Sequence, residues 1–529
     1  MNWKISLMSI GFAAFAISAQ AQEKAPENWF NLDLEQDKVQ GVSSEKAYKE
    51  LLKDKKPKKT VIVAVIDSGV DPEHEDLKDV MWVNEKEIPN NGKDDDGNGY
   101  IDDIHGWNFI GGKDGKNVNE ETLEITRIYR ELKAKENRSK DEEKYYQRIR
   151  DEIETKTTQM KVLKSSYDMI KESLETLTKH MGRDDFKTAD LSSIGSEAPA
   201  DVIKAKDLVG GYIQEATAAE FLESIGGALN YFNSQLDYNL NPDFDPRGIV
   251  GDDYSNQLER IYGNNDVYGP DALHGTHVAG IIGAIRGNSV GMDGVANNIR
   301  IMSIRTIPNG DERDKDVANA IRYAVDNGAD VVNMSFGKAY SYNKKIVDAA
   351  VKYAEKKGVL LVHAAGNDNK NIDEEDNFPT KFYQVSKNDP TKRGKKIAKN
   401  WIEVGALSWK PGEDAPAVFS NYGKATVDLF APGVDLYSTL PENEYKPLSG
   451  TSMAAPVVAG VAALVKSYYP DLTARQLKEC LEKSVVPIDR YVKVPGSPKK
   501  VEFKELCITS GVVNAYNALK LAEKMTKLP

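Results

Sequence analysis

Cysteine is nearly absent: the 529-residue chain holds two, Cys480 and Cys507. That excludes a disulfide-framework fold and any four-cysteine metal site. One bridge between the two stays open, because sequence does not give the Cα separation that a bridge requires. Histidine is scarce as well, and His74, His105, His180 and His363 fall in no HExxH or i, i+4 arrangement. Nothing there points to a catalytic zinc. A basic excess is also lacking. The formal charge is −12, so neither nucleic acid nor an anionic membrane is offered a basic face. Beyond the N-terminus, no hydrophobic stretch reads as long enough to span a bilayer.

What is present begins with an export pattern. Lys4 precedes the short apolar run Ile5 to Ile17, and Ala19-Gln20-Ala21 places small residues at a cleavage site. Residues 1–21 therefore read as a signal peptide, and the remainder as a soluble periplasmic or extracellular protein. Residues 22–58 are polar and too few for a domain of their own. They read as an N-terminal arm, with Trp29 and Leu32 packing on the core.

Thr60 to Ile66 is a continuous β-branched run, the mark of a strand buried on both faces. Further such runs are Ile299 to Ile304, Val331 to Met334, Val359 to Ala364 and Ile402 to Val404. Helical patterns at Asp316 to Asn327, Lys345 to Lys357 and Pro456 to Tyr469 lie between or after them. That alternation predicts an α/β fold with a parallel sheet and helices on its faces. Residues 119–246 interrupt it. There Tyr146, Ile149, Ile153, Lys156, Met160, Leu163, Tyr167, Ile170, Leu174 and Leu177 form a heptad seam spoiled only by Lys156. Glu120 to Lys135 is predicted to fold back as a hairpin partner. A third stretch, Ala200 to Tyr238, carries Gly210-Gly211 and Gly226-Gly227, which should kink or break it. The block reads as an inserted α-helical subdomain.

Three motifs carry chemistry. Val63-Ala64-Val65-Ile66-Asp67-Ser68-Gly69 puts a carboxylate at the end of a buried strand, where open α/β sheets place ligands. His274-Gly275-Thr276-His277-Val278-Ala279-Gly280 puts a histidine at the head of a helix made for close packing. Leu448-Ser449-Gly450-Thr451-Ser452-Met453-Ala454-Ala455-Pro456 puts a serine among small residues where a helix begins, and orphan N–H groups there favour developing negative charge. Serine needs a base to take its proton, and the base needs a carboxylate to fix its tautomer.

With these motifs the chain resembles a subtilisin-like serine protease, a subtilase. The resemblance covers about residues 59–110 and 247–522. It implies a three-layer fold around a mostly parallel sheet, in which residues 59–118 and 247–529 form the catalytic domain. It implies a secreted endopeptidase acting on protein or peptide substrates, with Asp67 orienting, His274 as base and acid, and Ser452 as nucleophile. Ala364-Ala365-Gly366-Asn367 resembles the segment bearing the oxyanion-hole asparagine, which makes Asn367 the donor. Ser335-Phe336-Gly337, with Ala364, Ala365 and Gly366, resembles the edge along which an extended peptide binds. His277 is then structural.

A second constellation is Asp94-Asp95-Asp96-Gly97-Asn98-Gly99-Tyr100-Ile101-Asp102. Asp94, Asp96, Asn98 and Asp102, with the Tyr100 carbonyl, follow the EF-hand spacing of oxygen ligands around calcium. His105 stands where that loop has its bidentate glutamate, so the set is incomplete. An acidic surface turn is the plainer alternative. Two other functions keep the same residues: a catalytically quiet binding protein that works through the helical insertion, and a transferase delivering the acyl group to an amine. Sequence leaves the oligomeric state open.

Overall fold

The computed structural model describes residues 24–210, 213, 216–384 and 393–527. The signal peptide read from residues 1–21 lies outside them. The apolar runs become a sheet because residues buried on both faces leave the backbone only a neighbouring strand to bond. In spatial order, Leu429–Pro432, Trp401–Leu407, Leu360–Ala364, Val331–Met334, Val61–Asp67, Ile299–Arg305 and Gly106–Asn108 are all parallel. Gly511–Val512 adds one more parallel strand beside Leu429–Pro432, and Val486–Pro487 closes that edge antiparallel.

Alternate residues of each strand face opposite layers. Ala64, Ile66, Met302, Ile304, Val332 and Met334 pack with the helices Asp314–Asp326 and Lys344–Lys357. The helices Leu273–Gly283 and Thr451–Tyr468 pack on each other and on the sheet. After the Val61–Asp67 strand the chain forms Gly106–Asn108 and Ile299–Arg305 on one side and then Val331–Met334 on the other. The carboxyl end of Val61–Asp67 is therefore a switch point, where a crevice opens between diverging connections. Asp67 sits there.

By length and composition alone Thr451–Tyr468 is apolar enough to cross a membrane, a test that a buried core helix also passes. It is 89% buried inside the protein and forms the sheet's covering layer. The arm is anchored as expected at Trp29, fully buried with its Nε1 donating to the Asp435 carbonyl, while Phe30 beside it is equally buried and Leu32 only partly so. Both cysteines are free and buried.

By their internal contacts the described residues fall into two compact units, Thr155–Leu236 and the rest from Pro26 to Glu154 and from Asp237 onward. The helix Lys140–Met181 contributes to both cores. Ile149 and Ile153 pack with Ile125 and Ile128 of the hairpin helix Glu124–Ala134. Ile170, Leu174 and Leu177 pack with Val202, Ile225 and Phe232. The flaw in the seam, Lys156, is exposed between these two stretches. Gly226-Gly227 does not break its helix, Ala218–Ser234. Thr217 and Glu220 form a capping box at its start, and Ile225, Leu229 and Phe232 are buried along it. Those contacts outweigh a propensity cost of about 1 kcal/mol per glycine.

Candidate active site

Asp67 ends its strand with the side chain buried. Its Oδ1 accepts from the Ser68 N–H at 2.8 Å and from Nδ1 of His274 at 2.7 Å. A carboxylate only accepts, so Nδ1 carries the proton and Nε2 is left as the basic nitrogen. Gly275 makes the approach possible: a Cβ there would lie 2.1 Å from the Gly69 carbonyl oxygen. Burial disfavours charge on His274, but the Asp67 charge and hydrogen bond outweigh it, and the imidazole pKa is raised. His277 is the opposite case. Burial pushes it down to about 4, its Nε2 stands 3.0 Å from the Lys446 carbonyl, and it stays a neutral core residue.

The helix carrying Ser452 begins at Thr451, five residues before the proline expected to open it. Pro456 has no N–H for the Ser452 carbonyl four residues back. The Ser335 hydroxyl takes that carbonyl at 2.8 Å. In return the Ser452 Oγ donates to the Ser335 carbonyl at 3.2 Å, and Asn333 Nδ2 donates to the Ser335 Oγ at 2.9 Å. The serine's helix is thus tied directly to the edge Ser335-Phe336-Gly337.

Asn367 reaches the same helix start. Its Oδ1 accepts from the Thr451 N–H at 2.8 Å and from Thr451 Oγ1 at 2.9 Å. This fixes which end of the amide is oxygen, so Nδ2 faces away from Thr451 as a donor. A Cβ on Gly450 would lie 3.5 Å from that Nδ2. Gly366, at φ +101°, donates to Thr451 Oγ1 at 3.1 Å. Ala364 and Ala365 are held from behind, their carbonyls accepting from Asn377 and Asn421.

A cavity of about 340 Å³ opens beside these groups. Asp67, His274, Ser335, Phe336 and Gly337 line it, but Ala364, Ala365 and Gly366 do not. Residues without a sequence motif also line it, among them Asp271, Arg305 and Glu312. Arg305 stands opposite Asp67 in the parallel register. Its guanidinium donates to the carbonyls of Ser68 at 2.8 Å and Val118 at 2.6 Å, bracing the loop after Asp67. Burial lowers its pKa to about 10. An arginine closing the run Ile299 to Ile304 is the sequence signal for it, since Arg300 within the run is exposed and Arg305 is buried.

The model of the Subtilase family matches residues 58–505, most of the chain and all of the site. This chain is a subtilase. It is 39% identical over 298 residues to the thermophilic serine proteinase of Bacillus sp. strain AK1, covering 56% of this chain and 62% of the relative. It is 37% identical over 215 residues to subtilisin DY of Bacillus licheniformis (40% and 69%). It is 36% identical over 233 residues to the major intracellular serine protease of Bacillus subtilis strain 168 (42% and 66%). The chain thus spans about two thirds of the length of each.

In this subtilase the acidic loop gathers differently from the EF-hand spacing. Glu87, Asp94 and Asp96 bring carboxylate oxygens within 4.8 Å of one another. Glu87 was not read from sequence, because it comes from an irregular segment before the loop. Asp94 also accepts from the amides of Gly97, Asn98 and Gly99, and the Asn98 Oδ1 from the Tyr100 amide. Asp102 is directed elsewhere, onto the amides of Asn91 and Gly92. Tyr100 buries its ring against Trp107 and Tyr323.

Proposed function

We propose that this subtilase is a serine endopeptidase that cleaves protein or peptide substrates through an acyl-enzyme. What carries the reading is the Asp67–His274 contact at 2.7 Å, made beside a cavity whose wall, Ser335, is hydrogen-bonded to Ser452. An extended substrate lies along Ser335-Phe336-Gly337. The Ser452 hydroxyl turns from the Ser335 carbonyl to donate to His274 Nε2, and its oxygen attacks the scissile carbonyl. Proton transfer to Nε2 makes an imidazolium that Asp67 stabilises. The oxyanion is held by the Asn367 Nδ2 and the Ser452 N–H at the helix start, groups already in place before charge develops. His274 returns the proton to the departing amine, and water then repeats the sequence to release the acid.

Glu87, Asp94 and Asp96, with Asn98 and the Tyr100 carbonyl, form an all-oxygen set suited to a hard cation, and we read the loop as a structural calcium site. Calcium there would offset two of the three carboxylate charges and stiffen the loop, with no part in the chemistry. Residues 1–21 we read as the export signal of a periplasmic or extracellular enzyme.

A fluorophosphonate probe tests the central reading. Labelling of the folded protein at Ser452, lost in Ser452→Ala, is the expected result. A well-folded protein that takes no label would leave the quiet binding protein in its place.

A further inference from the structure

Around the cavity nearly every buried charge is answered by an opposite one. The Lys338 ammonium commits its three hydrogens to Glu124, to Asp314 at 2.8 Å and to the backbone carbonyl of Glu312 at 2.7 Å. Arg127 spends its donors on the Glu124 carboxylate at 3.0 Å and on the carbonyls of Thr122, Asp311 and Glu312. Arg313 is taken by Glu121 at 2.8 Å and Asp245 at 3.0 Å.

The Glu312 carboxyl receives none of these hydrogens. The residue is 2% exposed, its Oε1 is buried without a hydrogen-bond partner, and it lines the same cavity as Asp67, His274 and Phe336. Burial pushes its carboxyl up to about 8, Lys338 opposing and Asp311 adding to the effect. Leaving such a group unpaired is costly unless something else arrives to pair it. Arg305, the cation on the cavity wall, makes its hydrogen bonds to Ser68, Asn108 and Val118 and none to Glu312. Glu312 is part of the cavity wall, so a cation bound in the cleft lies next to the residue that carries the unmatched carboxyl.

We propose that Glu312 is a specificity residue that selects substrates with a lysine or arginine side chain near the scissile bond, the cation reaching the buried carboxylate through the cleft. As the cation enters, Glu312 gives up its proton to solvent and the pair forms. This rests on the protease reading above.

Matched peptides differing only in lysine or norleucine at successive positions around the cleaved bond provide the test. In the wild-type protein kcat/KM is expected to favour lysine about 10- to 100-fold at one position, the range of a hydrogen bond to a charged group. In Glu312→Gln, with folding checked by thermal melting, that ratio should fall toward one. A wild-type ratio near one at every position overturns the proposal without any variant, and so does a lysine preference that survives in Glu312→Gln. Binding of the same peptides to Ser452→Ala, followed by fluorescence anisotropy, separates the two readings. Fluorophosphonate labelling with no lysine preference sinks this proposal alone; lysine-selective binding without labelling sinks the hydrolase and leaves Glu312 as a binding determinant.

Discussion

Two histidine–carboxylate pairs are built around strands of one sheet, and the one of Asp67 and His274 lines a cavity. His274 Nδ1 meets Asp67 at 2.7 Å; His363 Nδ1 meets Glu403 at 2.8 Å. The bond lengths are nearly the same and the surroundings are not. His274 is 36% exposed, its Nε2 free beside the cleft. His363 is fully buried, its Nε2 has no partner, and Trp401 occupies the second carboxylate oxygen of Glu403 at 2.8 Å. A histidine locked by a carboxylate is therefore not in itself a catalytic device. It becomes one when the other nitrogen faces space that a substrate and a nucleophile can share.

Breaking each pair should give opposite phenotypes. His274→Ala is expected to cost on the order of a millionfold in turnover, as in the related subtilisin, with little change in melting temperature. Asp67→Asn leaves the shape but favours the wrong tautomer, and should cost about 10⁴-fold in kcat against a peptide ester. Glu403→Ala orphans two buried donors, on His363 and Trp401. It should lower stability by about 2–6 kcal/mol in urea melts while the surviving folded fraction keeps its turnover.

Titration sharpens the contrast further. His274 must be neutral to accept a proton, so kcat/KM should rise with pH through a midpoint above the ordinary value of 6.5. In Asp67→Asn the midpoint should drop, because burial is then opposed only by the charge of Asp271. The same raised pKa adds stability that is fully present below the unfolded value and is lost as pH rises through the folded one. The smallest effect expected is at the acidic loop: calcium at a hundred times its dissociation constant should stabilise by about 2.7 kcal/mol over chelator-treated protein, seen as a higher melting temperature. An unchanged melt would leave the loop as an acidic turn.

The Asp67–His274 pair and the parallel core were legible because each rests on local sequence. A buried strand needs an unbroken apolar run, and a close-packed helix head needs glycine at Gly275. The start of the serine helix was not legible, since Pro456 reads locally as a first-turn residue. Its tolerance deeper in the helix depends on a hydroxyl from Ser335, and no window of sequence holds both. Glu87 and Glu312 escaped for the same reason. An acidic residue in an irregular segment reads as solvent-exposed until the chain that covers it is known. The free state of Cys480 and Cys507 likewise depends on how separate segments pack.

The site is also spread along the chain in a way that bears on timing. Asp67 and His274 are 207 residues apart, and Ser335 and Ser452 another 117. Closing loops of that size costs entropy that only a nearly finished sheet returns. On the mechanism proposed above, Asp67 and His274 emerge during synthesis long before Ser452, the residue assigned as nucleophile. If that mechanism holds, the dispersal of Asp67, His274, Ser335 and Ser452 over distant segments delays proteolysis until the whole sheet has been made.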